Sequence, residues 1–149
     1  YGNGLVYGNG LVFDNGRVYG NVWISSGNTD FDVKENLIKT INNSLNLGCF
    51  NGEVYFYKRV KVINGKYYSE YENADRVEYK IGKNISVKNP DLTWENSCSS
   101  GLHGSNYNYY KIEKDDQKIL FLKAKIKDVI TCQEGKIRCK KVFVIGVCD

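Results

Sequence analysis

Side chains able to do chemistry concentrate between Trp94 and Tyr110, which reads Trp-Glu-Asn-Ser-Cys-Ser-Ser-Gly-Leu-His-Gly-Ser-Asn-Tyr-Asn-Tyr-Tyr. The segment holds Cys98, the protein's single histidine, His103, and the tyrosines Tyr107, Tyr109 and Tyr110. Four chemistries compete for it. The first is structural, the ordinary fate of a lone Cys and His: Cys98 is a small buried hydrophobe, Gly101 permits a tight bend, and His103 hydrogen-bonds backbone across a sheet. The second is a ligand pocket. Tyrosine rings stack on planar groups, Ser and His donate to polar atoms, and arginine neutralises phosphate. Its lining would be Arg59, Ser99, Ser100, His103, Tyr107 and Tyr109, with Arg76 as a second source of charge. Tyr107 and Tyr109 face the same way if this stretch is a strand, and a nucleotide-like molecule is the expected ligand. The third is a Cys98–His103 nucleophile pair, which requires a depressed thiol pKa. The fourth is zinc held by Cys98, His103, Cys132 and Cys139. No cofactor is otherwise expected. The zinc spacings are wider than the usual knuckle, although Cys132 and Cys139 flank a Glu134-Gly135 turn and could approach across a hairpin.

Composition bounds these options. The chain has 149 residues, 42% hydrophobic and 26% charged, a globular balance. Net charge is +4, too mild and too scattered for a nucleic-acid binder. The basic residues fall in three groups: Lys58-Arg59-Lys61, Lys123-Lys125-Lys127 and Lys136-Arg138-Lys140-Lys141. The last two alternate with apolar residues, as the solvent face of a strand does. A phosphate-binding face is the second reading of the same pattern. No apolar run approaches the ~20 residues that span a bilayer, so no membrane partner is expected. No signal peptide is visible and the chain has no Met, so a fragment or processed product is expected. Five cysteines at irregular spacing point to reduced thiols and a cytoplasmic setting.

The elements that position the chemistry begin with a repeat. Tyr1-Gly-Asn-Gly-Leu-Val6, Tyr7-Gly-Asn-Gly-Leu-Val12, Phe13-Asp-Asn-Gly-Arg-Val18 and Tyr19-Gly-Asn-Val-Trp-Ile24 keep one phase. Gly-Asn supplies corners, and the closing Val or Ile packs inward. This resembles the hexapeptide repeat of left-handed parallel β-helices, and the resemblance implies a short β-solenoid stem over 1–24. It also implies a homo-oligomer, by analogy a trimer. The acyltransferase chemistry of many such proteins needs a histidine between coils, and 1–24 has none.

After a turn at 25–28, the region 28–149 reads as one α+β domain with one helix packed on a mostly antiparallel sheet. Asp30 or Asp32 caps the helix, Val33, Leu37, Ile41 and Leu45 share a face, and Gly48 ends it. Strands are predicted at 53–63, at 66–69 after the Asn64-Gly65 turn, at 76–81 and at 84–87. A single long strand is predicted at 118–130, followed by strands at 136–139 and 141–145.

Cys98-Ser-Ser-Gly-Leu-His103, with Tyr79-Lys-Ile-Gly-Lys83 before it and the 119–130 strand and Gly135-Lys-Ile-Arg138 after it, is similar to a family of uncharacterised bacteriophage-type proteins with a Cys-x-x-Gly-Leu-His motif. The resemblance spans about residues 30–148. This chain departs from the pattern where Gly104-Ser105 directly follows His103. The order Arg59, Ser99–Tyr110, Glu134 also faintly looks like ADP-ribosyltransferases, but Cys132 stands where their paired acid would be. The expected function is therefore a non-enzymatic phage-type accessory module, acting in the host cytoplasm and binding a small ligand or a host protein. A structural virion or assembly component is a further alternative, and no catalytic residue is assigned.

Overall fold

A computed structural model describes residues 37–70 and 76–148. The elements are α1 (Leu37–Leu45), β1 (Cys49–Phe50), β2 (Glu53–Ile63), β3 (Lys66–Tyr68), β4 (Glu78–Tyr79), β5 (Asn84–Ser86), β6 (Leu102–Gly104), β7 (Gln117–Lys125), β8 (Val129–Gln133), β9 (Lys136–Cys139) and β10 (Lys141–Cys148). They form two antiparallel sheets. The larger has the order β4-β3-β2-β7-β10-β5, with β1 also on β2; the smaller has the order β6-β9-β8.

This corrects the expected fold class. Among the described residues there is no solenoid coil, and there are two sheets where one was expected. The stem expected at 1–24, and the trimer expected through it, fall outside the described residues. The α+β character remains, with one helix that packs on β8. Ile41 and Leu45 of that helix are buried as the periodicity requires. The helix ends earlier than Gly48: Asn46 adopts positive φ (52°) and donates to the Asn42 carbonyl at 2.9 Å, so an asparagine takes the usual glycine role.

Local turn chemistry sets the hairpins. Asn51-Gly52, Asn64-Gly65 and Glu134-Gly135 all have positive φ at both positions, the geometry whose twist matches two-residue hairpins. They connect β1 to β2, β2 to β3, and β8 to β9. In β2 the residues Val54, Phe56 and Val60 alternate into the core, opposite Ala124 and Leu122 of β7. Val142 and Val144 of β10 complete this face.

The larger sheet is curled. Its edge strands β4 and β5 would lie about 24 Å apart in a flat six-strand array. Yet Tyr79 and Asn84 are five residues apart, a reach of at most about 18 Å. The sheet must bend until its edges approach. Gly82 N–H donates to the Val144 carbonyl at 2.8 Å, and Val144 N–H to the Lys83 carbonyl at 3.0 Å, tying the connecting turn to β10. Of the strand predicted at 76–81, only Glu78–Tyr79 pairs.

The single strand predicted at 118–130 is broken. A 3-10 turn at Ile126–Asp128 separates β7 from β8 and sends them to different sheets. Ile126 N–H is taken by the Gly52 carbonyl at 2.9 Å, and the Asp128 carbonyl accepts from Lys140 N–H at 2.9 Å. Lys140 is the matching corner between β9 and β10. Residues 117–148 are thus one long hairpin, folded over so that its base belongs to the larger sheet and its tip to the smaller.

The sheets meet at β2. Tyr57 and Ser105 exchange backbone hydrogen bonds of 2.8 and 2.9 Å, and Gly104 lies directly against the Phe56 ring. No helix among the described residues is long and apolar enough to cross a membrane.

Candidate functional site

The structure disperses the residues expected to line a ligand pocket. Arg59 is engaged by Glu70 (3.0 Å), the Lys111 carbonyl (2.7 Å) and Glu113 (3.7 Å). Ser100 Oγ donates to the Asn89 carbonyl at 2.8 Å, and Ser99 hydrogen-bonds Asp91. Tyr107 and Tyr109 do not share a strand face. They occupy a 3-10 turn that Asn106 caps through the Tyr109 N–H at 2.9 Å. Tyr107 therefore turns toward Tyr57, while Tyr109 meets Tyr110 edge-on at 5.1 Å.

Asp91 and Arg138 organise the loop between β5 and β6. The Arg138 side chain is 0% exposed. Its guanidinium donates to the carbonyls of Asp91 (2.7 Å), Thr93 and Ser100 (3.4 Å), and stands 3.5 Å from the Asp91 carboxylate. Asp91 also accepts from Thr93 N–H (2.8 Å) and Asn96 (2.9 Å). Hydrogen bonds from Ser99, Asn96 and Thr93 hold its carboxyl well below the usual carboxylate range. The serines and the arginine of this motif serve loop structure.

His103 sits on β6, paired with Arg138 of β9. Its backbone carbonyl accepts from Lys58 Nζ at 3.1 Å. Its Nε2 is buried with no hydrogen-bond partner among the described groups. Burial first, then the charges of Lys58, Lys136 and Arg138, push its pKa down to about 4. The neutral ring is therefore the native form at pH 7. Lys58 itself faces the core between Phe56 and Val60, over the Tyr79 ring at 5.6 Å, and burial lowers its pKa to about 8.

The sign of the histidine effect is definite. In the unfolded chain His103 titrates near 6.5 and in the native fold near 4. Between those values only the unfolded chain binds the proton, so stability is full above pH 6.5 and declines toward pH 4. The expected loss is about 2–3 kcal/mol. Urea denaturation at pH 7 and pH 4 measures it, and His103→Gln should lose less over that interval by a similar amount.

The zinc set is not assembled. Cys98 is exposed, whereas Cys132 and Cys139 are buried. No group of three or more His, Cys, Asp or Glu residues placed to hold a metal occurs among the described residues. Burial pushes the Cys132 thiol up to about 12 and raises Cys139 as well, leaving both as inert thiols. Glu134, the acid of the transferase-like reading, lies in the β8–β9 turn and accepts from Ser97 Oγ at 2.5 Å.

A different site emerges on the outer face of β2 and β7. Cross-strand partners share a face, and the outward register pairs Tyr55 with Lys123 and Tyr57 with Phe121. Tyr57 stacks on Phe121 at 5.2 Å, with an interplanar angle of 29°. Tyr55 adds a tilted contact to Phe121 at 5.9 Å, and Tyr107 stands edge-on to Tyr57 at 5.4 Å and 83°. These rings line a groove of ≈ 510 Å³, bordered by Leu45, Asn46, Leu47, Gly48, Asn106 and Asn108. Asn106 Nδ2 donates to the Leu45 carbonyl at 3.1 Å and ties the two rims together. No Asp, Glu, Lys or Arg lines the groove. It can stack a planar ring and offer amide donors and acceptors to a polar edge.

Of the residues expected to line a ligand pocket, the groove contains Tyr107. Tyr55, Tyr57 and Phe121 were missed. The one signal for the tyrosines was the parity of β2, whose face opposite Val54, Phe56 and Val60 carries Tyr55 and Tyr57 between the charged Glu53 and Arg59; Phe121 joins them from β7. No family model, curated protein or solved structure matches this chain.

Proposed function

We propose that the protein is a non-enzymatic binding module whose outer β2–β7 groove holds a small ring-bearing ligand, with the uncharged base of a nucleotide-like molecule as its best fit. The observation that carries this reading is the aromatic corner of Tyr57, Phe121 and Tyr107 beside Asn46, Asn106 and Asn108. The groove volume falls within the range of small-molecule sites. Its neutrality favours a base or sugar over a bare anion. The five free thiols favour a reducing compartment such as the cytoplasm. The resemblance to bacteriophage-type proteins is compatible with an accessory role there.

The test is a heteronuclear NMR titration with the four common ribonucleosides. At least one should bind saturably and shift the amides of Tyr57, Tyr107 and Phe121. Tyr107 is 46% exposed, so Tyr107→Ala should leave the fold intact. Losing one stacking ring costs about 1–3 kcal/mol, and binding should weaken by roughly five- to 150-fold. Absence of saturable binding, or equal binding by Tyr107→Ala, overturns the reading.

A further inference from the structure

A second cleft lies on the same outer face, at the corner where β7 leaves the larger sheet. It encloses ≈ 410 Å³ and brings together Lys123, Lys125, Lys127 and Lys141 around the Phe143 ring. These lysines come from two of the basic groups in the sequence, and the β7–β10 pairing joins them. Two carboxylates, Glu53 and Asp128, share the cleft. Both already have cationic partners: Lys123 hydrogen-bonds Glu53 at 3.0 Å, and Lys140 stands 3.9 Å from Asp128. Lys125 stands opposite Glu53 of β2 and, after Lys123, helps hold that carboxyl below its usual range. With Lys127 and Lys141 in no ion pair among the described residues, four lysines against two carboxylates leave the concavity net positive.

The cleft and the aromatic groove are neighbours on one sheet face, with the Lys123–Glu53 pair and Tyr55 between them. Lys123 is the cross-strand partner of both Phe143 and Tyr55, and its ammonium lies 5.6 Å from the centre of the Phe143 ring. The Tyr55 hydroxyl donates to Glu53 at 3.3 Å, so a wall of the groove touches a wall of the cleft. From Phe121 to Lys125 the strand advances about 13 Å.

We propose that this cleft is a phosphoryl-binding site and that it takes the phosphate end of the ligand whose ring lies in the groove. The proposal rests on the groove reading and narrows the ligand class to phosphorylated ring compounds carrying more than one phosphoryl group. Lys125, Lys127 and Lys141 supply the charge, and Phe143 and Asn84 shape the wall.

The experiment compares the four nucleosides, their 5′-diphosphates and inorganic pyrophosphate, by calorimetry on the full chain. A nucleoside 5′-diphosphate should bind at least tenfold more tightly than its nucleoside at low salt. The advantage should shrink as salt is raised. The Lys125→Gln, Lys141→Gln double variant changes two exposed side chains; it should abolish the advantage and leave nucleoside binding unchanged. Equal affinity for nucleoside and diphosphate, or an unaffected double variant, overturns the proposal while the groove reading stands. Pyrophosphate binding that the double variant abolishes, without any nucleoside binding, upholds the cleft and overturns the groove. A single-stranded oligonucleotide that binds far more tightly than any diphosphate overturns the proposal in favour of an extended polyanion.

Discussion

Replacing Arg138 with alanine is expected to destabilise the protein by about 3–5 kcal/mol, the cost of breaking a buried charged network from one side. The guanidinium is fully buried and gathers three carbonyls and a carboxylate from a loop with no strand of its own. Alanine would leave the Asp91, Thr93 and Ser100 carbonyls without this donor, and the Asp91 carboxylate without its cation. Lysine would be a poor substitute, because one ammonium cannot reproduce the planar fork. Arg138→Lys should therefore recover less than half of the loss. Thermal unfolding should show a drop of roughly 6–20 °C for Arg138→Ala, at about 2–4 °C per kcal/mol for a domain of this size. Limited proteolysis should cut first between Lys88 and Ser100. A loss below about 1 kcal/mol, on the scale of an exposed ion pair, would show that the loop is held by other means.

Gly104→Ala is the second large effect. A Cβ at this position would stand 2.3 and 2.5 Å from two Phe56 ring atoms and 2.8 Å from the Tyr57 carbonyl oxygen. The ring is fully buried and the carbonyl belongs to the backbone, so neither can yield cheaply. Relief requires β6 to move away from β2, which breaks the paired hydrogen bonds between Tyr57 and Ser105. Overpacking costs about 1–3 kcal/mol, occasionally more, and the broken pairing places this variant at about 3 kcal/mol or beyond. Chemical denaturation measures it. Gly48→Ala is the control, since nothing lies within 4 Å of a Cβ there. Equal stability of the two variants would remove Gly104 as the contact that seats the smaller sheet.

The same two residues show how far the sequence carries. Gly104 gives no reason for itself in the sequence, and the structure supplies one: the position faces Phe56 and admits no side chain. Arg138 reads as one more cation of an alternating strand. Its parity puts it on the face opposite Ile137 and Cys139, the expected solvent side, and only the loop at Asp91–Ser100, some forty residues away in sequence, covers that face and makes its burial tolerable. Local signals were sufficient for β2 and for the Asn64-Gly65 and Glu134-Gly135 turns, because alternation and positive-φ turn residues are read within a few positions. They were insufficient at 126–128. The apolar alternation runs through that corner unbroken, and the bend is imposed by Gly52 and Lys140 from distant segments. The candidate site follows the same rule. Tyr107 was legible as an aromatic in a polar loop. Its companions Tyr57 and Phe121 become neighbours only through the β2–β7 register, which no local pattern encodes.

The folded-over hairpin of residues 117–148 has a consequence for how the molecule comes apart. Its base supplies β7 and β10 to the larger sheet, and its tip supplies β8 and β9 to the smaller. A one-residue slip that is carried past the register shifts at Val144/Gly146 and Val129/Thr131 reverses side-chain polarity on both sheets, turning Leu120 and Leu122 outward together with Ile137 and Cys139. Each sheet therefore checks the register of the other. The two layers are therefore expected to lose structure in one transition, and coincident unfolding curves from probes placed in each sheet would check it.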